Sequence, residues 1–151
     1  MDWLMLLAIL MLVFGMAGKW CNEGETDVGN VYLKGQARPA GFYLGLYLDV
    51  TEPAEDAVVG DLTEVPAANG YARIQLADGD WTEQATKGEF LNVQKLFEAA
   101  GGAWGEVYGY FVTTALTGTA GLLINVEHFS DGPYTVNDGW SVKVTPKVTV
   151  Q

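Results

Sequence analysis

The chain opens with a run that has no polar side chain: from Trp3 to Gly18 every position is apolar or glycine. Leu, Met and Ala dominate the run and are good helix formers. Asp2 before it and Lys19 after it carry the charges that suit the two ends of a helix dipole. The pattern predicts a helix over about residues 2–16, stopped by Gly15 and Gly18. Cys21 to Asn30 then turns acidic and glycine-containing, and reads as a linker or exposed loop.

Beyond residue 30 the period changes to two. Phe42, Leu44, Leu46 and Leu48 alternate with Tyr43, Gly45, Tyr47 and Asp49, which predicts a strand over Gly41–Val50. Ala72, Ile74 and Leu76 alternate with Tyr71, Arg73 and Gln75, and Asp78-Gly79-Asp80 marks a turn. Phe90–Phe97 fits a strand or a short helix, and the strand is favoured because Gly101-Gly102 follows. Gly105–Thr114 is rich in aromatic and β-branched residues, and Thr117 to Gly121 turns the chain. Leu122, Ile124, Val126 and His128 face away from Leu123, Asn125, Glu127 and Phe129. Turn signals at Ser130–Pro133 and Asn137–Gly139 precede strands over Trp140–Thr145 and Lys147–Val150.

About seven or eight short strands at this spacing predict a mainly β fold, an antiparallel β-sandwich of jelly-roll-like or Ig-like form. Two sheets are expected, with an apolar N-terminal helix beside them. The implied organisation is residues 1–20 as helix, 21–30 as linker and 31–151 as the β domain. No internal repeat is evident, so a solenoid is not proposed.

Composition narrows the function classes. The 151 residues hold eight Lys+Arg against nineteen Asp+Glu, a net charge of −11. Such a surface repels a polyanion, which argues against nucleic acid as a partner. One cysteine, Cys21, cannot form an intrachain disulfide, and one histidine leaves no zinc cluster.

A hydrolytic triad would have to use His128, which shares a strand face with aliphatic residues and reads as structural. Asp49, Glu52, Glu55 and Asp56 in one loop and Asp78 and Asp80 in another offer oxygen ligands for calcium. The EF-hand spacing is missing, so no cofactor and no metal site is expected, with calcium kept as the alternative. No glycine-rich phosphate loop is present. Trp81, Trp104, Trp140, Tyr108, Tyr110 and Tyr134 lie in or beside loops and strand ends, where aromatics either stack on ligands such as sugars or fill a core or subunit contact.

Several short motifs resemble, in order, those of a group of small tailed-bacteriophage virion proteins labelled tail fibre or minor structural proteins. They are Gly41-Phe-Tyr-Leu-Gly-Leu-Tyr-Leu-Asp49, Gly70-Tyr-Ala-Arg73, Trp104-Gly-Glu-Val107, Gly118-Thr-Ala-Gly-Leu-Leu123 and Gly139-Trp-Ser-Val-Lys-Val144, followed by Lys147–Val150. The likeness covers about residues 31–151, and Met1-Asp-Trp-Leu4 fits the start of that group's N-terminal helix loosely. The run here is more apolar than in that group. The resemblance implies a non-enzymatic virion component without catalytic residues: a tail fibre, minor tail or capsid-decorating protein.

The expected mechanism is assembly. Burying apolar side chains yields about 1.5–3 kcal/mol each, so a run of this length anchors a subunit firmly. Trp3, Leu4, Leu7, Leu10, Met11 and Phe14 are the expected assembly interface. Trp81, Trp104 and Tyr134 are the candidates for ligand or host contact. The expected partners are copies of the chain, other virion proteins and a host-surface glycan, with localisation in the virion. The alternatives are a carbohydrate- or receptor-binding module, and a membrane-anchored or secreted domain whose run is a signal or a span.

Overall fold

The two segments with the strongest alternation become the middle of a five-stranded antiparallel sheet. A computed structural model describes residues 18–150. The helix expected over residues 2–16 lies outside the described residues. The described chain runs β1 (Lys19–Trp20), α1 (Asn22–Tyr32), β2 (Phe42–Tyr47), β3 (Ile74–Leu76), β4 (Thr82–Glu83), β5 (Glu89–Leu91) and β6 (Lys95–Glu98). It continues through β7 (Gly105–Val107), β8 (Gly109–Thr113), β9 (Leu123–His128), β10 (Tyr134–Val136), β11 (Ser141–Val144) and β12 (Lys147–Thr149). The main sheet has the order β1-β9-β8-β2-β3. β12-β5-β4 form a three-stranded sheet, and β10-β7 and β11-β6 form two-stranded ribbons. All these pairings are antiparallel.

The mainly β class therefore holds, with more and shorter strands than expected. The Phe90–Phe97 strand is in fact two, β5 and β6, and they join different sheets. Asn92, between them, is buried, and its backbone N–H donates to Pro146 O at 2.9 Å. Gly105–Thr114 is likewise divided at Tyr108, so that β7 pairs with β10 while β8 enters the main sheet.

Both faces of the main sheet are covered. Leu44, Leu46, Tyr110 and Val112 point into the larger core with Tyr71 and Trp104. Tyr47, Phe111 and Val126 point into a smaller one with Cys21, Val59 and Leu123. Gly45 makes the second face possible: a Cβ there would lie 2.4 Å from the Phe111 ring, so only glycine lets that ring lie against β2.

The alternation expected along Leu122–Phe129 is broken by a bulge. Val112 opposes Asn125 while Thr113 opposes Leu123, leaving Ile124 as the extra residue. Leu123 therefore faces the smaller core, and Ile124 and Phe129 the larger one. With both faces covered, every residue from Leu123 to Glu127 is buried.

The expected linker over 21–30 is replaced by α1. Its sequence is a poor helix former, with two interior glycines and several β-branched or polar residues. Tertiary contacts supply what propensity does not. Glu23 and Glu25 sit in its first turn, where negative charge suits the dipole. The Leu123 backbone N–H donates to Glu23 Oε2 at 2.7 Å. Gly24 lies against the backbone of Ile124, where a Cβ would be 2.3 Å from its carbonyl oxygen. β1 shows that the domain also starts earlier than residue 31.

Candidate functional site

Residues 19–23 enter the fold at one pole, and each is tied to a different part of the chain. The Lys19 ammonium donates to Pro53 O at 2.6 Å and lies 3.7 Å from the Glu52 carboxylate. The Trp20 indole N–H donates to Thr149 O at 2.7 Å, and its ring packs on the larger core. Cys21 N donates to Ile124 O at 3.0 Å, Asn22 N donates to Glu55 O at 2.8 Å, and Glu23 takes the Leu123 amide. Lys19, Trp20, Glu25, Val28, Glu55 and Thr149 are among the residues lining a groove of about 510 Å³ at this pole. Beside it the tip of α1 leaves Val28, Tyr32 and Leu33 exposed, the last two at 87% and 85%.

Cys21 is fully buried in this pole, and burial pushes its thiol up to about 11. A thiol in that state is not a nucleophile near neutral pH, which fits a packing role. Among the described residues no helix is long and apolar enough to cross a membrane.

The expected assembly residues Trp3, Leu4, Leu7, Leu10, Met11 and Phe14 lie outside the described residues. The three aromatic candidates are described, and all three belong to or pack on the larger core. Trp104 is buried; its indole N–H donates to Asn69 O at 2.9 Å, and it stands edge-on to Tyr71 at 5.6 Å. Tyr134 is half-buried, edge-on to Phe129 at 5.2 Å. Trp81 is half-buried against the larger core. Trp104 thus acts as a core residue, while Trp81 and Tyr134 keep part of their rings at the surface.

His128 lies between two tyrosines, 6.0 Å from the Tyr47 ring and 5.9 Å from that of Tyr108. Its Nδ1 is 3.1 Å from the Tyr47 hydroxyl. Burial pushes the Tyr47 phenol well above its ordinary range, so it stays neutral. The pair is an aromatic stack with a hydrogen bond and offers no activated nucleophile.

The loop carboxylates hold the backbone in place. Asp49 accepts the Thr63 N–H at 2.8 Å, and Asp61 accepts that of Val58 at 3.0 Å. Asp78 takes a bidentate pair from Arg38, and Asp80 a Lys95 ammonium at 3.0 Å. Among the described residues no group of three or more His, Cys, Asp or Glu is placed to hold a metal ion.

Two polar clusters were not visible as such in the sequence. Arg73, expected on an alternating strand, lies just before β3 and is only 7% exposed. Its guanidinium donates to Glu64 through Nε at 2.9 Å and Nη2 at 2.7 Å, and to the carbonyls of Ala115 and Gly118 at 2.8 Å each. The Phe111 ring lies beneath it at 5.3 Å. The Tyr71 hydroxyl donates to Glu64 at 2.7 Å and accepts the Leu46 N–H at 2.9 Å. This latch joins the Gly70-Tyr-Ala-Arg73 motif to the turn that opens the Gly118–Leu123 motif.

The second cluster is Glu127 on β9 with Tyr110 on β8. The phenol donates to the carboxylate at 2.6 Å, and its oxygen accepts the Lys147 N–H at 3.2 Å. Burial pushes the Glu127 carboxyl up to about 7, against the opposing pull of the Tyr110 hydrogen bond and the Lys147 charge.

Residues 19–147 match the model of a family described as Podophage GP4 fiber I protein gp80. The match starts at β1 and ends on the first residue of β12, so it spans nearly all of the described fold. No curated protein matches the chain.

Proposed function

The chain belongs to the podophage GP4 fiber I protein gp80 family, and we propose from that premise that it is a non-enzymatic structural part of a phage fibre, assembled through its N-terminal run. The match over residues 19–147 supports the phage-fibre part of this reading. Virion proteins are the partner class that follows from the family.

The finer steps are part of the proposal. The apolar residues Trp3, Leu4, Leu7, Leu10, Met11 and Phe14 pack against copies of the chain or a neighbouring virion protein. One small domain covers one side of a helix, so an all-apolar run calls for cover from elsewhere. Residues 19–23 transmit the attachment to the β domain, which displays its loops. Trp81 and Tyr134, with part-exposed rings, are the residues offered to a host surface.

The test is the mass of the full-length chain by light scattering in detergent-free buffer, beside a chain lacking residues 1–17. The cut stops short of Lys19 because β1 belongs to the sheet. A discrete oligomer that becomes a folded monomer on truncation is expected. Equal masses overturn the assembly role of the run. A full-length chain that needs detergent moves the reading to a membrane anchor.

A further inference from the structure

Gly18, Lys19 and Trp20 line the groove at the entry pole together with Glu25 and Val28 of α1. The chain therefore doubles back after Cys21. If α1 continued in the direction of β1, Val28 would stand about 20 Å from Gly18, too far to share a groove of this size. Glu25, Val28, Gly29 and Tyr32 share one stripe of α1 by its 3.6-residue period. Glu25 and Glu55 lie at the Asn22 end of the groove, where Asn22 N donates to Glu55 O. The apolar surface begins at Val28 and continues to Tyr32 and Leu33, all three exposed. At Gly29, between them, a Cβ would meet nothing within 4 Å, so the stripe is open to close approach of another backbone.

The point where the N-terminal run joins the domain is held in place. Lys19 and Trp20 pair with Val126 and Asn125 in the main sheet. Gly18 packs on the Asn125 carboxamide, where a Cβ would lie 2.2 Å from Oδ1, so only glycine fits. No spacer separates the run from the groove, because Ala17 is bonded to a residue that lines it. A segment tethered without slack meets the adjoining surface at an effective concentration that a separate molecule does not reach. Seventeen residues precede Gly18. As the helix its sequence predicts, the stretch from Met5 to Met16 spans about 18 Å, against about 16 Å for α1.

We propose that the N-terminal run folds back on its own domain as a helix antiparallel to α1, with Met5, Ile9, Leu12 and Met16 seated on the surface from Val28 to Leu33. These four positions form the face of the run opposite to Trp3, Leu7, Leu10 and Phe14, which stays outward for the assembly partner. The two helices then make a hairpin whose short connection is β1. The proposal rests on the assembly reading of the run and adds which face each partner takes. It joins two facts that otherwise stand apart: α1 keeps an apolar tip in water, and the run beside it is apolar on every side. The domain covers one side of the run, and a neighbouring subunit covers the other.

The test is crosslinking of the full-length chain with bismaleimidoethane, a short thiol-to-thiol reagent; the native Cys21 is buried and does not compete. Leu12→Cys with Tyr32→Cys should link within one chain, giving a monomer band on a denaturing gel and a joined peptide by mass spectrometry. Leu10→Cys with Tyr32→Cys, from the opposite face of the run, should link within a chain at least about tenfold less. A Leu12→Cys link between chains overturns the proposal in favour of a copy's run on α1. Equal yields from the two pairs, or no link from either, overturn the docking itself. Amide exchange gives a second reading. Ile9→Asn with Leu12→Asn should speed exchange in α1 about tenfold and leave β8 unchanged, and unchanged α1 rates also overturn the docking. Light scattering on the same samples separates this from the assembly reading. A monomer with the intrachain link removes the assembly and keeps the docking; an oligomer without the link does the reverse.

Discussion

Glu64, half-buried, and Glu127, buried, are both carboxyl groups drawn into the fold, and the chain supplies them very differently. Glu64 receives three hydrogen bonds, two from the Arg73 guanidinium and one from Tyr71. Glu127, more deeply buried, receives one from a phenol. At the first, a permanent cation is committed and its remaining donors hold the carbonyls of Ala115 and Gly118. At the second, the nearby cation is shared with Glu89. Depth alone does not decide what a buried acid does; the donors around it do. One site fixes a loop, and the other leaves a carboxyl that burial pushes towards its protonated form.

The contrast can be broken at its strong end first. Arg73→Met leaves the Glu64 carboxylate and two carbonyls without their donor. It should cost about 3–5 kcal/mol, as expected for removing one side of a buried pair. Chemical denaturation gives the number, and proteolysis should show new cleavage in the Ala115–Gly118 turn. A cost below about 1 kcal/mol would reduce the latch to an ordinary surface pair.

The weaker end is probed by Tyr110→Phe, which removes the donor to Glu127. A loss of about 1–3 kcal/mol is expected for a buried acceptor left unpaired. The loss should be larger at pH 8 than at pH 5.5, because only the anion needs the donor. Thermal melts at the two pH values decide this, and an equal loss at both would mean that the carboxyl is not titrating in that range.

The baseline for both comes from Arg38→Ala. Arg38 pairs bidentately with Asp78, but the side chains are 50% and 71% exposed. Exposed pairs contribute about 0–1 kcal/mol. The midpoint of denaturation should barely move, and added salt should erase what shift there is.

Much of the fold was legible because a half-buried strand writes its period into the sequence. β2, β11 and β12 fall within the alternating or β-branched runs that predicted them. β9 was legible as a strand, but its faces were not, because the bulge at Ile124 depends on the partner strand β8. α1 was hidden for a related reason. Apart from the acids of its first turn, little in Asn22–Tyr32 favours a helix locally; Glu23 and Gly24 make it one by meeting Leu123 and Ile124, about a hundred residues away.

The polar clusters were the least legible part of the candidate site. Arg73 appeared in a quoted motif, yet its partner Glu64 sits in an irregular loop with no periodic signal. Glu127 alternates correctly with its neighbours but looks like a solvent-facing residue, because the strand that covers it lies some twenty residues further on. Trp104 beside a glycine resembled a loop aromatic until Tyr71 and Asn69 enclosed it.

The entry of the chain at residues 19–23 has a mechanical consequence. A pull applied through the N-terminus reaches five consecutive residues, tied in turn to residues 53, 149, 124, 55 and 123. These ties lead into three separate stretches of the domain, and residues 123 and 124 belong to a strand inside the main sheet. Tension is therefore divided at the threshold of the fold, as guy ropes divide the load on a mast, before it reaches the core.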